Sequence, residues 1–385
     1  MKIAYLSITA LSDCDLPLLH ELQRMADVDY YLIATNTKRR GTAIDIHLKE
    51  RGGVFSGTLY PELKNIANWI KLENVYIVNT PVDHEWEWIS WKVSWYWMKM
   101  LHNKNYDIIH VTWPLRYCSL PLYSLRKKMV LTMHDPIPHS SNITLENIFH
   151  RWCAIHSTPH FILLNKTQKA EFMRKYNISE DRIHMSRLSI YTHLSQTIPS
   201  EPLCNKPYIL YIGSIQPHKG IEYLCQAMEP ITKEMQDIQV VIAGKGKYYF
   251  DKTKYEHNPQ YHFINRFITN EELASLINNA IAVVCPYTDA TQSGVIMSAF
   301  ALNKPVIATN VGALSEMMQN ERHGFLVPPK DHQALEIAIR KIMQEGIAQK
   351  MSEQIKSDFS TGFQSWKEIA REIYDIYITI IASRK

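Results

Sequence analysis

The sequence lacks several features that would each have assigned it to a particular class of protein. Its six cysteines are scattered and include no C-x-x-C pair, so neither a zinc site nor a disulfide framework is indicated. No apolar run is long enough to span a bilayer, and residues 2–7 have the pattern of a strand rather than of a signal peptide. The net charge of +4 is too small to indicate nucleic acid as a partner. We therefore expect a cytoplasmic protein, with peripheral contact to the inner face of the membrane as the alternative.

The sequence is long enough to form two hydrophobic cores, and its apolar runs alternate regularly with other segments. A chain of 385 residues with 46% hydrophobic residues exceeds one ordinary core. Short apolar runs alternate with amphipathic segments, which predicts an α/β fold with parallel sheets covered by helices. The predicted strands are 3–7, 30–34, 75–78, 108–111, 130–133 and 161–164 in the first half, and 208–212, 238–243, 281–285, 305–308 and 325–327 in the second.

The alternation is interrupted once, between residues 195 and 207. This stretch holds three prolines and no apolar periodicity, so we place the interdomain linker there. The prediction is a first domain over 1–198, a second over 207–360, and a final apolar-periodic helix within 363–385. A capping box from Thr269 to Glu272 predicts the start of a helix ahead of the strand 281–285.

A first candidate site for an anion follows the strand 208–212. Gly213 lets the backbone approach a ligand closely, and Lys219 precedes the helix that starts near Ile221, where the helix dipole favours negative charge. Together they suit a phosphate. The alternative is an ordinary turn glycine with a solvated lysine.

Two further turns follow the next strands of the second half. Gly244, after the strand 238–243, permits a tight turn near a ligand. Thr291, Gln292, Ser293 and Gly294 come before a helix and offer backbone amides and hydroxyls to an anion, although a simple helix cap has the same composition. The carboxyl ends of parallel strands lie at one edge of a sheet, so the three turns should converge on one crevice with the lysine as its cationic wall.

In the first half, His134 and Asp135 stand directly after the strand 130–133. Pro136 and Pro138 hold the loop extended, so both side chains would be presented rigidly, and a neutral histidine can bind a sugar hydroxyl. The alternative is that both residues merely close a proline-rich loop.

A tryptophan-rich stretch precedes the strand 108–111. It contains Trp86, Trp88, Trp91, Trp95 and Trp97. Trp88, Trp91 and Trp95 share one helical face, which we interpret as a face that packs on the sheet. Attachment to a membrane surface is the alternative, because aromatic residues beside lysines suit a lipid interface.

In order and content these segments resemble the retaining glycosyltransferases of the GT-B fold, specifically the large family four, over nearly the whole chain. The resemblance implies two Rossmann-like domains that face each other across a cleft, with the terminal helix around Trp366 returning to the first domain. The segments that carry it are 212–220, 263–273 with Arg266 before the pocket for the nucleotide base, 303–312 and 323–329.

The sequence departs from the family pattern at two places. The family commonly has an arginine where this chain has Ser214, and Ala290 and Ser298 occupy the positions of its paired glutamates. The chain instead matches a subgroup with an A-T-Q-S-G-V donor motif and with the pattern H-D-P-x-P-H that begins at His134 and ends at His139. Asp289, directly before the donor motif, is the candidate for the missing carboxylate.

The resemblance implies a metal-independent glycosyltransferase without a cofactor, which transfers a sugar with retention from a UDP- or GDP-linked donor to a glycan or lipid-linked acceptor in polysaccharide or glycoconjugate biosynthesis. The implied catalytic residues are His134, Asp135, Lys219 and Asp289. The implied donor-binding residues are Gly213, Ser214, Gly244, Arg266, Thr291, Gln292, Ser293, Gly294 and Ser298.

Three other functions compete with this one. The missing arginine and glutamates favour a non-catalytic partner subunit that binds a sugar nucleotide. A UDP-sugar 2-epimerase shares the architecture. A dinucleotide-dependent oxidoreductase is disfavoured because no strand is followed by the required glycine fingerprint.

Overall fold

A computed structural model describes residues 1–35, 43–48, 52–80, 87–115, 117–137 and 145–384. They form two compact domains, the first comprising Met1–Leu188 and Trp366–Lys385, the second Ser189–Ser365. Trp86, Pro138 and His139, which the sequence patterns include, lie outside the described residues.

The first domain is built on an eight-stranded sheet. Its strands are β1 (Lys2–Ile8), β2 (Asp27–Thr35), β3 (Gly53–Ser56), β4 (Val75–Thr80), β5 (Ile108–Val111), β6 (Met129–Met133), β7 (His160–Leu163) and β8 (Ile183–Met185). They stand in the order β3-β4-β2-β1-β5-β6-β7-β8, and only the β3–β4 pair is antiparallel. Its first helices are α1 (Ser12–Leu22), α2 (Trp88–Asn103), α3 (Leu145–Ser157) and α4 (Lys169–Tyr176). Apolar runs such as β6, in which every residue is buried, form strands that are covered on both faces.

The second domain has a six-stranded, fully parallel sheet. Its strands are β9 (Tyr208–Ile212), β10 (Gln239–Ala243), β11 (Tyr261–Ile264), β12 (Ala282–Cys285), β13 (Val306–Thr309) and β14 (Gly324–Val327), in the order β11-β10-β9-β12-β13-β14. Its helices are α5 (Thr192–Ser195), α6 (Ile221–Glu234), α7 (Thr253–Glu256), α8 (Asn270–Asn279), α9 (Gly294–Ala301), α10 (Leu314–Met317), α11 (His332–Ile342) and α12 (Ile347–Ser360). The predicted α/β fold with Rossmann-like parallel sheets is thus confirmed.

Three strands are not predicted from the sequence, for a common reason. β3, β8 and β11 each stand at an edge of a sheet, and most of their residues are only half-buried. An edge strand contacts fewer neighbours, so its sequence carries a weaker apolar pattern. The predicted capping box of α8 is confirmed, since Thr269 and Glu272 exchange hydrogen bonds with each other's backbone amides.

The boundary between the domains falls at Leu188 and Ser189, ahead of the stretch 195–207 in which the sequence places the linker. The Ser189 hydroxyl donates to the carbonyl of Gln364 at 2.6 Å, and the Ser200 amide donates to the carbonyl of Glu271 at 3.1 Å. The proline-rich stretch therefore belongs to the second domain, because its backbone groups are satisfied there.

The last helix, α13 (Trp366–Ala382), belongs to the first domain, where it packs against α1. Its apolar side is formed by Ile369, Ile373, Tyr377 and Ile380, at helical spacing. The hydroxyl of Tyr377 lies 2.5 Å from Nδ1 of His110 in β5, so the helix is anchored by a buried polar contact as well as by apolar packing.

The tryptophan face of α2 does not pack on the sheet, and that interpretation was wrong. Trp97 is buried together with Val93 and Leu101, whereas Trp88 is 82% exposed and Trp95 is 53% exposed. Burying Trp97 with its helical neighbours at 93 and 101 turns Trp88 and Trp95 outward and leaves Trp91 half-buried. No helix within the described ranges is long and apolar enough to cross a bilayer.

Candidate active site at the carboxyl edge of the second sheet

The candidate site lies at the carboxyl edge of the second sheet, at the point where the strand order reverses. From β9 the chain continues outward through β10 and β11, and it then returns to the other side of β9 with β12. Open parallel sheets bind ligands in the crevice at such a switch point, because the loops on either side diverge there. The turns after β9, β10 and β12 all stand at this edge, as the sequence predicts.

The turn after β9 is shaped by two glycines with positive φ. Gly213 has φ +143° and donates its amide to the carbonyl of Ala243 at 3.0 Å. Gly220 has φ +62°, and a Cβ there would lie 2.0 Å from the carbonyl oxygen of Pro286 in the loop after β12. The amide of Thr288 donates to the carbonyl of His218 at 2.9 Å. The turn that carries Lys219 is therefore fastened to the loop across the switch point.

Lys219 presents its ammonium to the ring of Tyr287. Nζ lies 3.8 Å from the ring centroid, within the range of a cation–π contact. Burial lowers the pKa of Lys219, and none of the ion pairs within the described ranges includes this residue. A partly desolvated cation that stands on an aromatic face and has no carboxylate partner among the described residues suits an anionic ligand.

The turn after β10 approaches the backbone of the turn after β9. Gly244 has φ +147°, and a Cβ there would lie 1.7 Å from the carbonyl oxygen of Gly213. Ile215 and Gly246 form an isolated parallel bridge, with the Ile215 amide donating to the carbonyl of Lys245 at 3.1 Å. Two main chains thus run side by side, with glycine needed at their closest approach.

The third wall is the start of α9. Ser293 is the N-cap, and its hydroxyl accepts from the Ile296 amide at 3.4 Å and lies 3.3 Å from the hydroxyl of Tyr287. The Ser293 side chain therefore acts as a helix cap, which is the alternative that the sequence left open for this turn. The amides of Gly294 and Val295 stand in the first turn, where the helix itself offers no acceptor. They, rather than the serine hydroxyl, are the groups that an anion can use.

Other predicted donor-binding side chains have local partners or exposed positions. The Ser298 hydroxyl donates to the carbonyl of Gly294 at 2.9 Å. Ser214 is exposed, and its carbonyl accepts from the hydroxyl of Tyr211 at 2.7 Å. Asp289 is exposed, whereas Thr291 is buried and Gln292 is half-buried. The A-T-Q-S-G-V segment thus offers a cap and backbone amides, with the Asp289 carboxylate beside them.

Arg266 forms a bidentate ion pair with Glu272. Its two terminal nitrogens lie 2.7 and 2.6 Å from the two carboxylate oxygens, and Glu272 also accepts from the Thr269 amide at 3.1 Å. The arginine therefore closes the capping box of α8. Any contact with a nucleotide would compete with this pair.

His134 and Asp135 lie in the other domain, directly after β6. Burial lowers the pKa of His134 to about 4, which the Asp135 carboxylate opposes only in part. The histidine is therefore neutral at neutral pH and can donate or accept a hydrogen bond. The carbonyl of Asp135 accepts from the guanidinium of Arg151 on α3, which holds the loop.

Two buried polar residues, Tyr287 at the candidate site and Asp15 in the first domain, have no clear signal in the sequence. Tyr287 is fully buried and orders both Lys219 and Ser293, but in the sequence it is one apolar residue after a strand. Asp15, in the first turn of α1, is also buried and accepts from the hydroxyls of Tyr5 and Tyr30 at 2.9 and 3.2 Å. Burial raises the pKa of Asp15 to about 7. An acidic residue at a helix start is too common to stand out.

Within the described ranges, no group of three or more His, Cys, Asp or Glu side chains is arranged to hold a metal ion.

Comparison with known proteins gives a consistent family assignment. Residues 30–186 match the family described as Glycosyltransferase Family 4, and residues 206–345 match the one described as Glycosyl transferases group 1. A glycosyltransferase of Methanocaldococcus jannaschii is 29% identical over 44% of this chain and 44% of its own length. The alpha-D-kanosaminyltransferase of Streptomyces kanamyceticus is 24% identical over 50% of this chain and 53% of its own length. The chain thus spans about half the length of these curated relatives.

Solved structures match over almost the whole chain. A glycosyltransferase from Rickettsia africae has a TM-score of 0.64 at 16% identity, covering 99% of this chain and 98% of its own. The Anabaena protein HepE, solved in complex with UDP-glucose, has a TM-score of 0.65 at 15% identity, covering 98% of this chain and 100% of its own. At these identities the structures establish the fold, while the two family models, one in each half of the chain, establish the family. The chain belongs to the group 1 glycosyltransferases of the GT-B fold.

Proposed function

We propose that this protein transfers a sugar, with retention and without a metal ion, from a UDP- or GDP-linked donor to a glycan or lipid-linked acceptor in polysaccharide or glycoconjugate biosynthesis. The observation that carries the proposal is Lys219, a partly buried cation held on the ring of Tyr287 at the switch point of the second sheet. The first turn of α9 faces the same crevice, so an ammonium and helix amides are available to one diphosphate.

The arrangement suits the departure of a nucleoside diphosphate. When the bond between the anomeric carbon and the phosphate oxygen breaks, both bonding electrons go to that oxygen. Lys219 and the amides of Gly294 and Val295 would stabilise the negative charge, and one preorganised donor of this kind is worth about 3 kcal/mol. The acceptor hydroxyl oxygen bonds to the same face of the anomeric carbon, and its proton passes to the departing phosphate.

Donor recognition beyond the diphosphate would involve the remaining candidates. We propose that Asp289 contacts the transferred sugar, because it is an exposed carboxylate next to the α9 turn. His134, kept neutral by its lowered pKa, would donate to or accept from a sugar hydroxyl, with Asp135 beside it. Relatives support the donor class, since HepE was solved with UDP-glucose.

A binding screen tests the proposal at its first step. Titration calorimetry with UDP-glucose, UDP-N-acetylglucosamine, GDP-mannose and ADP-glucose should show one that binds, and Lys219→Met should weaken that binding. Release of the nucleoside diphosphate on addition of candidate acceptors would then identify transfer. If no donor binds the folded protein, the proposed function is wrong.

One observation favours a second function, a non-catalytic subunit that binds a sugar nucleotide. Ala290 and Ser298 stand at the positions of the family's paired glutamates, and the Ser298 hydroxyl bonds to its own helix. Such a subunit would bind a donor with the same dependence on Lys219 but would never release nucleoside diphosphate, in the presence or absence of acceptors. An isomerised sugar without acceptor would instead identify a 2-epimerase.

A further inference from the structure

Helix α2 exposes large aromatic side chains to solvent. Its buried side holds two serines, Ser90 and Ser94, among the apolar residues, while Trp88, Trp95 and Tyr96 on the other side are 82%, 53% and 58% exposed. A helix on the surface of a soluble protein normally presents polar residues to solvent. Large aromatic side chains on the solvent side therefore require a partner or a function.

Lysines interleave with these aromatic residues. We define the α2 face as the five exposed side chains of Trp88, Lys92, Trp95, Tyr96 and Lys99. At 3.6 residues per turn the five side chains fall within an arc of about 100°. One continuous strip thus combines three amphipathic rings and two ammonium groups.

Exposed basic residues cluster beside the α2 face. Helix α2 itself contains no carboxylate, and Glu87 directly precedes it. The 3-10 segment Tyr117–Lys128, which packs against α2, contributes the exposed Arg126 and Lys127. Lys104 pairs with Asp29 at 2.7 Å, so the exposed positive charge on this side comes from Lys92, Lys99, Arg126 and Lys127.

Helix α3 extends the exposed apolar surface on the same side of the first sheet. Its inner residues join the core cluster that also receives Trp97 of α2, and it contacts the same 3-10 segment. On its outer side Ile148, Phe149 and Trp152 are 48%, 40% and 54% exposed. Two helices on one layer of the domain thus turn large apolar side chains outward.

The composition of the α2 face favours a bilayer over a protein as the partner. Tryptophan and tyrosine sit at the level of lipid headgroups because one end of each ring is apolar and the other can bond to water. Lysine is depleted in protein–protein interfaces but is attracted by anionic headgroups. A helix without a single carboxylate complements an extended, negatively charged plane.

We infer that the α2 face is a docking surface by which the first domain binds an anionic lipid bilayer, with α2 lying in the plane of the headgroups. The rings of Trp88, Trp95 and Tyr96 enter the interface, while Lys92 and Lys99 pair with lipid phosphates. This mode requires no spanning segment, because an amphipathic helix binds at the surface by partial burial of its apolar face.

Flotation with lipid vesicles tests the inference on the full chain. The protein should float with vesicles of phosphatidylcholine and phosphatidylglycerol at low salt, and much less with phosphatidylcholine alone or at high salt. The pairs Trp88→Ser/Trp95→Ser and Lys92→Glu/Lys99→Glu should each reduce the partition coefficient about tenfold or more. The matched control is Lys350→Glu/Lys356→Glu on α12, which reverses two exposed lysines and changes the net charge by the same amount, and should leave partition unchanged.

Brominated lipids separate insertion from simple adsorption. Quenching of tryptophan fluorescence should occur in the wild-type chain and be lost in the Trp88→Ser/Trp95→Ser variant, with circular dichroism showing that the variant is folded. Three results overturn the inference: no binding to anionic vesicles, equal binding by the variants and the wild type, or light scattering that shows a dimer which the α2 variants convert to monomers. The assay uses neither donor nor acceptor, so its outcome does not depend on the transfer reaction.

Discussion

The sharpest test of the candidate site is to replace Lys219 by methionine. Methionine keeps an unbranched side chain of similar length over the ring of Tyr287 and removes only the charge. Because burial lowers the pKa of Lys219, the fold disfavours its ammonium, so the loss of the cation–π contact is offset by relief from desolvation. We expect the melting temperature to change little, which makes any loss of function attributable to the site.

The expected loss follows from the geometry of a charge pair. An ammonium about 4 Å from a phosphate charge is worth roughly 4 kcal/mol at an effective dielectric constant of about 20. Lys219 is half-buried, so water reduces this to about 3 kcal/mol, the usual value of one preorganised donor. A loss of that size corresponds to about 150-fold in kcat/KM. Part of it should appear in the affinity for the donor, because the diphosphate is already charged in the ground state.

Two measurements separate these effects. Calorimetry with the donor found in the binding screen gives the ground-state part, and release of the nucleoside diphosphate with or without acceptor gives the rest. Lys233→Met, an exposed lysine on α6 paired with Glu229, is the matched control and should behave as the wild type. Affinity in the wild type should fall on the alkaline side at a lower pH than for an ordinary lysine, whereas Lys219→Met should lack that step. Affinity and turnover within about twofold of the wild type, in a folded variant, would refute the role of Lys219.

Three further predictions address other parts of the structure. Gly244→Ala should destabilise the second domain by several kcal/mol in urea unfolding, because its Cβ would lie 1.7 Å from the Gly213 carbonyl oxygen. The control Gly346→Ala, with φ +78° and nothing within 4 Å of the new Cβ, should cost only about 1–2 kcal/mol. Equal losses of stability in the two variants would contradict the close approach of the two main chains. Asp289→Asn should lower kcat for the donor sugar by about tenfold or more, and unchanged kinetics would remove Asp289 from the site. Asp15→Asn should gain stability relative to the wild type as the pH rises from about 4 to 7, by roughly 1.4 kcal/mol per pH unit. Burial raises the folded pKa of Asp15 to about 7, so the wild type loses stability in that window and the asparagine does not. A difference that does not vary with pH would show that Asp15 ionises normally.

Most of the architecture could be predicted from local sequence. Buried parallel strands such as β9 and β6 are continuous apolar runs, so their positions are visible without any tertiary information. The capping box of α8 is equally local, because Thr269 and Glu272 are three residues apart. The convergence of the turns after β9, β10 and β12 follows from the parallel arrangement alone.

What could not be predicted depends on which side of an element faces its neighbours. The tryptophans of α2 fit a helical face, but the rotation of the helix was decided by Trp97, which packs in the core beneath it. Arg266 looks like a free cation in the sequence, and its bidentate pair with Glu272 exists only because the turn after β11 folds back onto the start of α8.

By itself the sequence determined the two-domain α/β fold, the resemblance to the glycosyltransferases and the place of Lys219 just before a helix in the connection after a strand, because these rest on residues close together in the chain. Only the tertiary structure decided that Lys219 stands on the ring of Tyr287 with a lowered pKa, and that α2 buries Trp97 and exposes Trp88, Trp95 and Tyr96. Contacts between residues far apart in sequence set the environment of a charge and the rotation of a helix. Neither can be predicted from the apolar periodicity of the sequence.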